Sequence, residues 1–270
     1  MSVPDDESTL ALRRVEWNGA SSRSADDHVA AEAPLEIRIG GVPIAVVMRT
    51  PGHDEDLVRG FLLSERIARS SASIVSVRHC AEVDHPDAED NVMQVVLGHA
   101  VDLASLRRNL FASSSCGICG KASIEQAMHH TGKVADTIRL TPADLYGLPG
   151  RLEAQQAGFA ATGGVHAAAL FDASLETIAI REDIGRHNAV DKVLGVASAE
   201  QRVGTALMVS GRVSFEIVQK ALACGVELVA AVSAPSSLAV GLAGESGMTL
   251  VAFLRDARMC VYSAPHRIQE

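Results

Sequence analysis

The chain has 270 residues, and at roughly 100–200 residues per domain this length predicts one large domain or two small ones. Its 24 Lys and Arg are outweighed by 33 Asp and Glu, giving a formal net charge of −9. That balance argues against a nucleic-acid partner, because proteins that bind duplexes present a basic surface. Hydrophobic residues make up 47% of the chain, a globular composition, and no uninterrupted apolar run approaches the ~20 residues that span a bilayer. We therefore expect neither a nucleic-acid-binding protein nor a membrane protein.

Cysteine usage points to the cytoplasm. Residues 1–16 are acidic and polar and lack the apolar stretch of a secretory signal, and the cysteine count is odd. A secreted disulfide scaffold is therefore not expected, and the thiols should be reduced at rest. Three cysteines lie in apolar or strand-like contexts and are predicted to be buried structural thiols. These are Cys80, Cys224 and Cys260.

The first third of the chain predicts a leader and a small domain. Residues 1–33 are rich in Ser, Ala, Asp and Glu and are expected to be a loosely ordered leader, with Trp17 pinning part of it to the body. Residues 34–112 are expected to form a small α+β domain. Its predicted elements are a hairpin around Gly40 and Gly41, a helix over 54–68, and strands over 74–83 and 91–97.

Residues 113–270 predict an α/β domain. Short apolar strands alternate there with helices, which implies βαβ units and a mixed sheet with helices on both faces. The predicted strands are 167–171, 177–181, 205–209, 228–232, 249–254 and 259–262. The predicted helices are 121–130, 142–157 with a break at Pro149, 188–197, 213–224 and 235–243.

The pair Cys116 and Cys119 is the chemically most informative feature. Serines and glycines surround it, and a helix is predicted to begin just after Cys119. The helix N-terminus and the nearby charges of Arg107, Arg108 and Lys121 favour an anion. Both effects lower a thiol pKa from about 8.5, and the thiolate is the reactive form. The local sequence therefore suits a nucleophilic cysteine.

Four interpretations of the pair remain open on the residues alone. Structural zinc needs four N or S ligands, and no second C-x-x-C is present. A thioredoxin-like dithiol opens a compact fold, whereas this pair lies in mid-chain. Two inert buried thiols are disfavoured by the flanking Gly and Ser. The fourth interpretation is sulfur relay, in which an exposed thiolate carries a second sulfur atom as a persulfide.

Polar loops in the second domain predict an anion-binding site. Gly163 and Gly164 lie between a helix and a strand, where backbone N–H groups can approach a phosphate, although an ordinary turn is the alternative. Arg186 suits a phosphate and His187 a base or ribose, the alternative being a loop that caps a helix. Arg212 follows an apolar strand and precedes a helix, the position of many anion sites. Asp191 and Lys192 are interpreted either as a supporting ion pair or as surface residues.

Five ordered motifs resemble the formate dehydrogenase accessory (FdhD) family. The resemblance covers about residues 35–265 and leaves the leader outside. The matching segments are Ser114–Ser123, Thr162–Ala168, Arg181–Lys192, Ser210–Glu216 and Ser233–Ala239.

The resemblance implies a sulfurtransferase. Such a protein takes sulfur from a cysteine desulfurase and passes it to the molybdenum cofactor in its bis-guanine-dinucleotide form, before insertion into formate dehydrogenase. The persulfide would form on Cys116, with Cys119 as the second thiol. A homodimer is implied, no structural metal is expected, and GDP or GTP is expected to mimic the client. The stretch implied to contact the cofactor is Phe253, Leu254, Arg255, Asp256, Ala257 and Arg258.

The resemblance also implies a cytidine-deaminase-like C-terminal domain without deaminase activity. The H-x-E…P-C-x-x-C signature of zinc deaminases is missing, because Ala168 follows His166 by two residues and no Pro precedes Cys116. The alternative function is a non-catalytic chaperone that binds the cofactor and the apo-enzyme and clamps zinc with its cysteine pair.

Overall fold

The computed structural model describes residues 8–80, 90–106 and 132–269, and its first element is a β-hairpin. Strands β1 (Thr9–Asn18) and β2 (Ser21–Ala30) pair antiparallel along their whole length. The expectation of a loosely ordered leader is therefore wrong for residues 9–30. Composition misleads here because the backbone ladder forms with little burial, and Trp17 is 69% exposed rather than pinned to the body.

A four-stranded sheet follows, in the order β4-β3-β6-β5, with helix α1 (Asp54–Ser64) on one face. The face toward α1 buries alternate apolar residues such as Leu35, Ile37 and Met93. Three carboxylates in the first turn of α1 stabilise the helix, because they lie at the positive end of its dipole. The predicted elements are present, although α1 ends four residues before its predicted end. The strands are β3 (Ala33–Ile39), β4 (Val42–Arg49), β5 (Ile74–His79) and β6 (Val92–Leu97).

The second sheet has six strands in the order β12-β11-β10-β9-β7-β8. Strands β9, β10 and β11 are parallel, whereas β7 is antiparallel to both of its neighbours and β12 is antiparallel to β11. The strands are β7 (His166–Phe171), β8 (Thr177–Asp183), β9 (Ala206–Val209), β10 (Leu228–Ala231), β11 (Thr249–Arg255) and β12 (Arg258–Ser263).

Helices cover both faces of this sheet, which confirms the predicted mixed α/β architecture. One apolar cluster joins the sheet to α5, α6 and α7, and another joins its opposite face to α2 and α3. The helices are α2 (Pro142–Tyr146), α3 (Leu148–Glu153), α4 (Ala157–Thr162), α5 (Arg186–Ala199), α6 (Phe215–Ala223) and α7 (Ser237–Ser246).

Two details of the predicted helices differ. The break in the helical stretch over 142–157 falls at Gly147, because Pro149 fits in the first turn of α3. Helix α7 begins after Pro235 rather than at it. None of the helices in the described ranges is long and apolar enough to cross a membrane.

Helices α1 and α5 cross at two glycines. A Cβ atom built on Gly60 would lie 1.8 Å from the backbone oxygen of Asp191, and one on Gly195 would lie 1.8 Å from that of Asp56. The two helices therefore run antiparallel with their backbones in direct contact. Since α1 packs on the four-stranded sheet and α5 on the six-stranded sheet, this crossing joins the two layers.

We expect Gly195→Ala to destabilise the protein, because the new methyl group overlaps the backbone of Asp56. Overpacking of this kind costs about 1–3 kcal/mol or more. The matched control is Gly241→Ala in α7, where a Cβ meets nothing within 4 Å. There the substitution should raise the free energy of unfolding by about 0.5–1 kcal/mol. Urea denaturation measures both, and equal stability of the two variants would contradict the close crossing.

Candidate functional site

Four strands of the six-stranded sheet end at the same side. Because β8 and β9 are both antiparallel to β7, β8 runs parallel to β9, β10 and β11. We call this side the carboxyl edge, formed by residues 184–187, 210–214, 232–236 and 253–258 together with His166 at the start of β7. Open α/β sheets bind ligands at the carboxyl ends of their strands. The predicted residues Arg186, His187 and Arg212 all lie at this edge.

A buried ion pair fixes the loop after β8. Asp183 is fully buried, and its Oδ2 lies 2.8 Å from Nζ of Lys192. Lys192 also donates to the carbonyl of Thr50 at 2.9 Å, and the Thr50 amide donates to Asp183 Oδ2 at 3.2 Å. The amide of Gly185 donates to the other oxygen of Asp183 at 2.8 Å. The first turn of α5 is therefore held against the end of β4.

Most of the remaining polar residues of segment 181–192 also hold the fold together. Asn188 donates to the Met48 carbonyl at 2.7 Å, and Arg181 pairs with Asp56 at 3.1 Å. The Glu182 carboxylate accepts two backbone N–H groups at the start of α4, at 2.7 and 2.8 Å. Asp191 and Lys192 are 2% and 1% exposed, so the interpretation of them as surface residues is wrong. They do not pair with each other either, because Lys192 binds Asp183 and Asp191 binds Lys220. Only Arg186 and His187 are left to face the carboxyl edge.

A second buried cluster joins α1, α5 and α6. Lys220 donates to Asp191 at 2.8 Å, to Glu65 at 2.9 Å and to the Ser64 hydroxyl at 2.9 Å. Burial alone lowers the pKa of Lys220, but the charges of Asp191 and Glu65 outweigh that penalty and raise it. Lys220 is therefore a permanent cation in the interior and serves packing rather than proton transfer.

The thiol of Cys224 lies beside this cluster and is unreactive. Burial, followed by the negative charge of Asp191, raises its pKa to about 12. Cys80, Cys224 and Cys260 are intermediate in exposure, so the prediction that they are buried is too strong. Cys116 and Cys119 lie outside the described residues, as do Arg107, Arg108, Lys121 and the helix predicted over 121–130.

His187 contacts two side chains of the next βα unit. Its Nε2 lies 2.9 Å from Oε2 of Glu216 and 3.3 Å from Oγ of Ser214. His166 lies nearby, and burial, followed by the charges of Arg186 and His187, lowers the pKa of His166. His166 is therefore uncharged at neutral pH. His166, Ser214 and Glu216 all lie in the sequence motifs, but no role was predicted for them. The available signal was Glu216, a glutamate two residues after the serine that precedes the helix.

Four predicted arginines have no ion pair with any described residue. Arg186 is half-buried, and Arg212, Arg255 and Arg258 are exposed. Within the described ranges none of the four guanidinium groups pairs with a carboxylate, whereas Arg49, buried in the four-stranded layer, binds Asp54 with two bonds. From β8 to β11 the edge spans four strand spacings, about 19 Å. A row of this length suits an extended ligand with several anionic groups.

The glycine turn does not provide a phosphate cradle. The Gly163 amide donates to the Phe159 carbonyl at 2.7 Å, and the Gly164 amide donates to the Thr162 hydroxyl at 3.1 Å. Gly163 has a φ of +65° and ends α4, which explains why glycine is required there. The prediction that these amides bind phosphate is not supported, because both already have acceptors within the protein.

The stretch predicted to contact the cofactor is irregular in the way that ligand sites often are. The ladder between β11 and β12 shifts by one residue between Ala252 and Arg255. Phe253 has a φ of +53°, unusual for an aromatic residue, and its amide donates to the Ser233 carbonyl at 3.2 Å. Leu254 is fully buried in the core, so its side chain is unavailable to a ligand. Asp256, Ala257 and the two flanking arginines form the exposed hairpin turn.

The structure also contains a cavity of about 460 Å³ whose lining comes from the four-stranded layer rather than from residues of the carboxyl edge. It lies beside the four-stranded sheet, with the buried pair Arg49 and Asp54 in its wall and His53 and His79 at its rim. Within this pair Arg49 donates two hydrogen bonds to Asp54, so the two charges compensate each other. In the part of the chain that the structure describes, no group of three or more His, Cys, Asp or Glu is arranged to hold a metal ion.

We expect Asp183→Asn to destabilise the protein strongly, because it leaves the ammonium of Lys192 buried without a counter-charge. Breaking a buried pair in this way costs about 3–5 kcal/mol. The control is Glu200→Gln, which removes a carboxylate that is 51% exposed and 3.7 Å from Arg202, and it should change stability by less than about 1 kcal/mol. Thermal unfolding compares the two, and similar melting temperatures would contradict a structural role for Asp183.

Comparisons with known proteins agree on one family. The FdhD/NarQ family profile matches residues 30–269. "Sulfur carrier protein FdhD" of Mycolicibacterium paratuberculosis is 47% identical over 248 residues, covering 89% of this chain and 91% of that protein. The protein of the same name from Streptomyces avermitilis is 49% identical over 253 residues, covering 90% and 89%.

A solved structure shows the same fold. A crystal structure described as a formate dehydrogenase accessory protein from Desulfotalea psychrophila superposes with a TM-score of 0.76. It is 24% identical, and the match covers 97% of this chain and 99% of that one. On the profile match and the curated relatives, this chain belongs to the FdhD/NarQ family.

Proposed function

We propose that this protein is a sulfur carrier in the maturation of formate dehydrogenase. It takes sulfur from a cysteine desulfurase as a persulfide on Cys116 and passes it to the molybdenum cofactor, in the bis-guanine-dinucleotide form, before that cofactor enters the apo-enzyme. The observation that carries the proposal is membership of the FdhD/NarQ family, whose curated members are named sulfur carrier proteins. The Cys116-Gly-Ile-Cys119 pair supplies the sulfur chemistry.

Loading of Cys116 is a thiol–persulfide exchange. The Cys116 thiolate attacks the outer sulfur of the donor's persulfide, the donor's S–S bond breaks, and the electron pair leaves with the donor as a thiolate. A new S–S bond forms on Cys116, and the proton of the outer sulfur stays with it. No external oxidant or reductant is consumed, because one persulfide replaces another.

Release of the sulfur as sulfide needs two electrons, which the thiol of Cys119, three residues after Cys116 in the sequence, would provide. Its thiolate attacks the inner sulfur of the Cys116 persulfide, which expels HS⁻ toward the client and leaves a Cys116–Cys119 disulfide. A cellular thiol reductant then restores both thiols. This step makes the protein a sulfurtransferase with two functional cysteines rather than a passive store.

The carboxyl edge is the proposed binding surface for the client. Arg186, Arg212, Arg255 and Arg258 carry charge without a carboxylate partner in the described ranges, which suits phosphate and pyrophosphate groups. Phe253 lies within the irregular part of the β11–β12 ladder at the same edge and is only partly buried, and an aromatic ring suits stacking on a base. GDP and GTP should therefore bind as mimics of the guanine-dinucleotide part.

The partners follow from this chemistry. They are a cysteine desulfurase as donor and the formate dehydrogenase apo-enzyme as the destination. The family resemblance further implies a second copy of the chain in a homodimer. The compartment is the cytoplasm, where thiols stay reduced between cycles.

Mass spectrometry tests the carrier directly. After incubation with a cysteine desulfurase and cysteine, we expect the peptide that contains Cys116 to gain about 32 Da, the mass of one sulfur atom. Cys116→Ser should abolish the adduct and formate dehydrogenase activity in a deletion strain, while Cys260→Ser is the matched control with neither effect. Full activity of the Cys116→Ser strain would contradict the proposal.

The same protein preparation tests the alternative function. A non-catalytic chaperone that clamps zinc would contain one zinc per chain, lost in a Cys116→Ser/Cys119→Ser double variant, and would acquire no sulfur adduct. The carrier predicts the adduct and metal content that the double substitution does not change. Elemental analysis of wild type and variant distinguishes the two.

Calorimetry tests the client site. We expect GDP to bind the wild type and Arg212→Ala or Arg186→Ala to weaken binding about tenfold, because a charge-assisted hydrogen bond contributes about 1.5–3 kcal/mol. The control is Arg202→Ala, since Arg202 precedes β9 at the opposite side of the sheet and is paired with Asp172. Equal affinity in all three variants would remove the arginine row from the site.

A further inference from the structure

Glu216 is a buried carboxylate that the packing does not fully satisfy. It lies in the first turn of α6 and is 8% exposed. One oxygen faces Nε2 of His187 at 2.9 Å, while Oε1 is buried and has no hydrogen-bond partner among the described residues. Buried carboxylates in native proteins normally have all their oxygens paired, so a half-paired one at the edge of a sheet points to a functional constraint.

Ser214 departs from its ordinary structural role at the same place. It occupies the N-cap position of α6 with extended backbone, yet its hydroxyl makes no capping bond and lies 3.3 Å from Nε2 of His187. Ser236 occupies the equivalent position before α7 with nearly the same backbone, and there the hydroxyl caps the helix by accepting from the Ala239 amide at 3.2 Å. The two neighbouring βα units therefore have the same backbone geometry at this serine but use its hydroxyl differently. The hydroxyl of Ser214 lies beside His187, whereas that of Ser236 caps its helix.

These contacts define which nitrogen of His187 is available. An ionised carboxylate only accepts hydrogen bonds, so Nε2 carries the proton that faces Glu216. In the uncharged ring Nδ1 then has no proton and accepts hydrogen bonds. The same arrangement, in which an outer carboxylate sets the tautomer of a histidine, orients histidines in many sites.

Of the charged groups around His187, one cation is available to a polar or anionic ligand. Arg186 precedes it on α5, His166 faces it from β7, Asp183 lies at the end of β8, and Glu216 approaches from α6. Asp183 is neutralised by Lys192, and burial, followed by the charge of Arg186, lowers the pKa of His166. Arg186 is therefore the cation of this corner without a carboxylate partner in the described ranges.

We infer that Glu216, assisted by Ser214, is a positioning residue that fixes His187 with Nε2–H inward and presents Nδ1 to a hydroxyl or amino group of a guanine nucleotide bound at the carboxyl edge. The inference rests on the proposed function, because it takes the guanine-dinucleotide client as the ligand. Glu216 itself acts through His187 and does not touch the ligand.

The test uses the full-length chain with ¹⁵N-labelled histidine. Long-range ¹H–¹⁵N spectra of the wild type should show His187 as the Nε2–H tautomer, and Glu216→Gln should convert it to a mixture, because an amide can donate as well as accept. Glu216→Gln should also weaken GDP binding about tenfold, as loss of a charge-assisted contact does. Glu200→Gln, the same change at an exposed carboxylate beyond the far end of α5, is the matched control and should leave the His187 tautomer and the GDP affinity unchanged.

The outcomes separate this inference from the proposed function. If the wild type binds GDP and Glu216→Gln leaves the affinity and the His187 tautomer unchanged, the inference is overturned and the proposed function stands. If the wild type does not bind GDP, the proposed client site is wrong. If Glu216→Gln also leaves the His187 tautomer unchanged, the positioning role is wrong as well. Should Glu216→Gln fail to fold, Ser214→Ala provides the same comparison, and an unchanged His187 spectrum again overturns the inference.

Discussion

The buried ion pair between Asp183 and Lys192 is the constraint on which the rest of the site depends. It joins the last residue of β8 to α5, and through Thr50 it ties both to the end of β4. Breaking a buried pair leaves a charge without compensation, so this corner has essentially one arrangement. The glycine crossing of α1 and α5 joins the same two layers next to this pair, at the backbone of Asp191. Together these contacts hold the loop that carries Arg186 and His187 in place.

Packing also separates structural polar residues from candidate functional ones. In segment 181–192, the side chains of Arg181, Glu182, Asp183 and Asn188 contact α1, α4, α5 or the end of β4. The arginines at the carboxyl edge have no such partners in the described ranges. Because native proteins pair most buried charges, residues left without partners at one edge of a sheet are those available to a ligand. This contrast supports the edge as the client surface.

The sequence predicted the alternation of strands and helices because periodic apolar residues report directly on burial. It missed the β1–β2 hairpin because the polar composition of residues 1–33 outweighed the short apolar alternation in β1, whose apolar side chains are exposed, and because β2 is almost entirely polar. It could not show that Gly60 and Gly195 meet opposite backbones, or that the amides of Gly163 and Gly164 already have acceptors, because both depend on tertiary contacts. The roles of Ser214 and Glu216 were hidden for the same reason: their partner His187 lies 27 residues away from Ser214 in the chain. The cytidine-deaminase-like description and the domain boundaries stay predictions.

The central claim is that one sulfur atom passes through Cys116 on its way from the donor to the client. The most direct measurement follows radiolabelled sulfur from cysteine through a desulfurase to this protein, and then to formate dehydrogenase supplied with the molybdenum cofactor. We expect label to reach the protein first and to move to the enzyme in a single chase, with both steps lost in Cys116→Ser. Label that reaches the enzyme at the same rate without Cys116 would contradict the account.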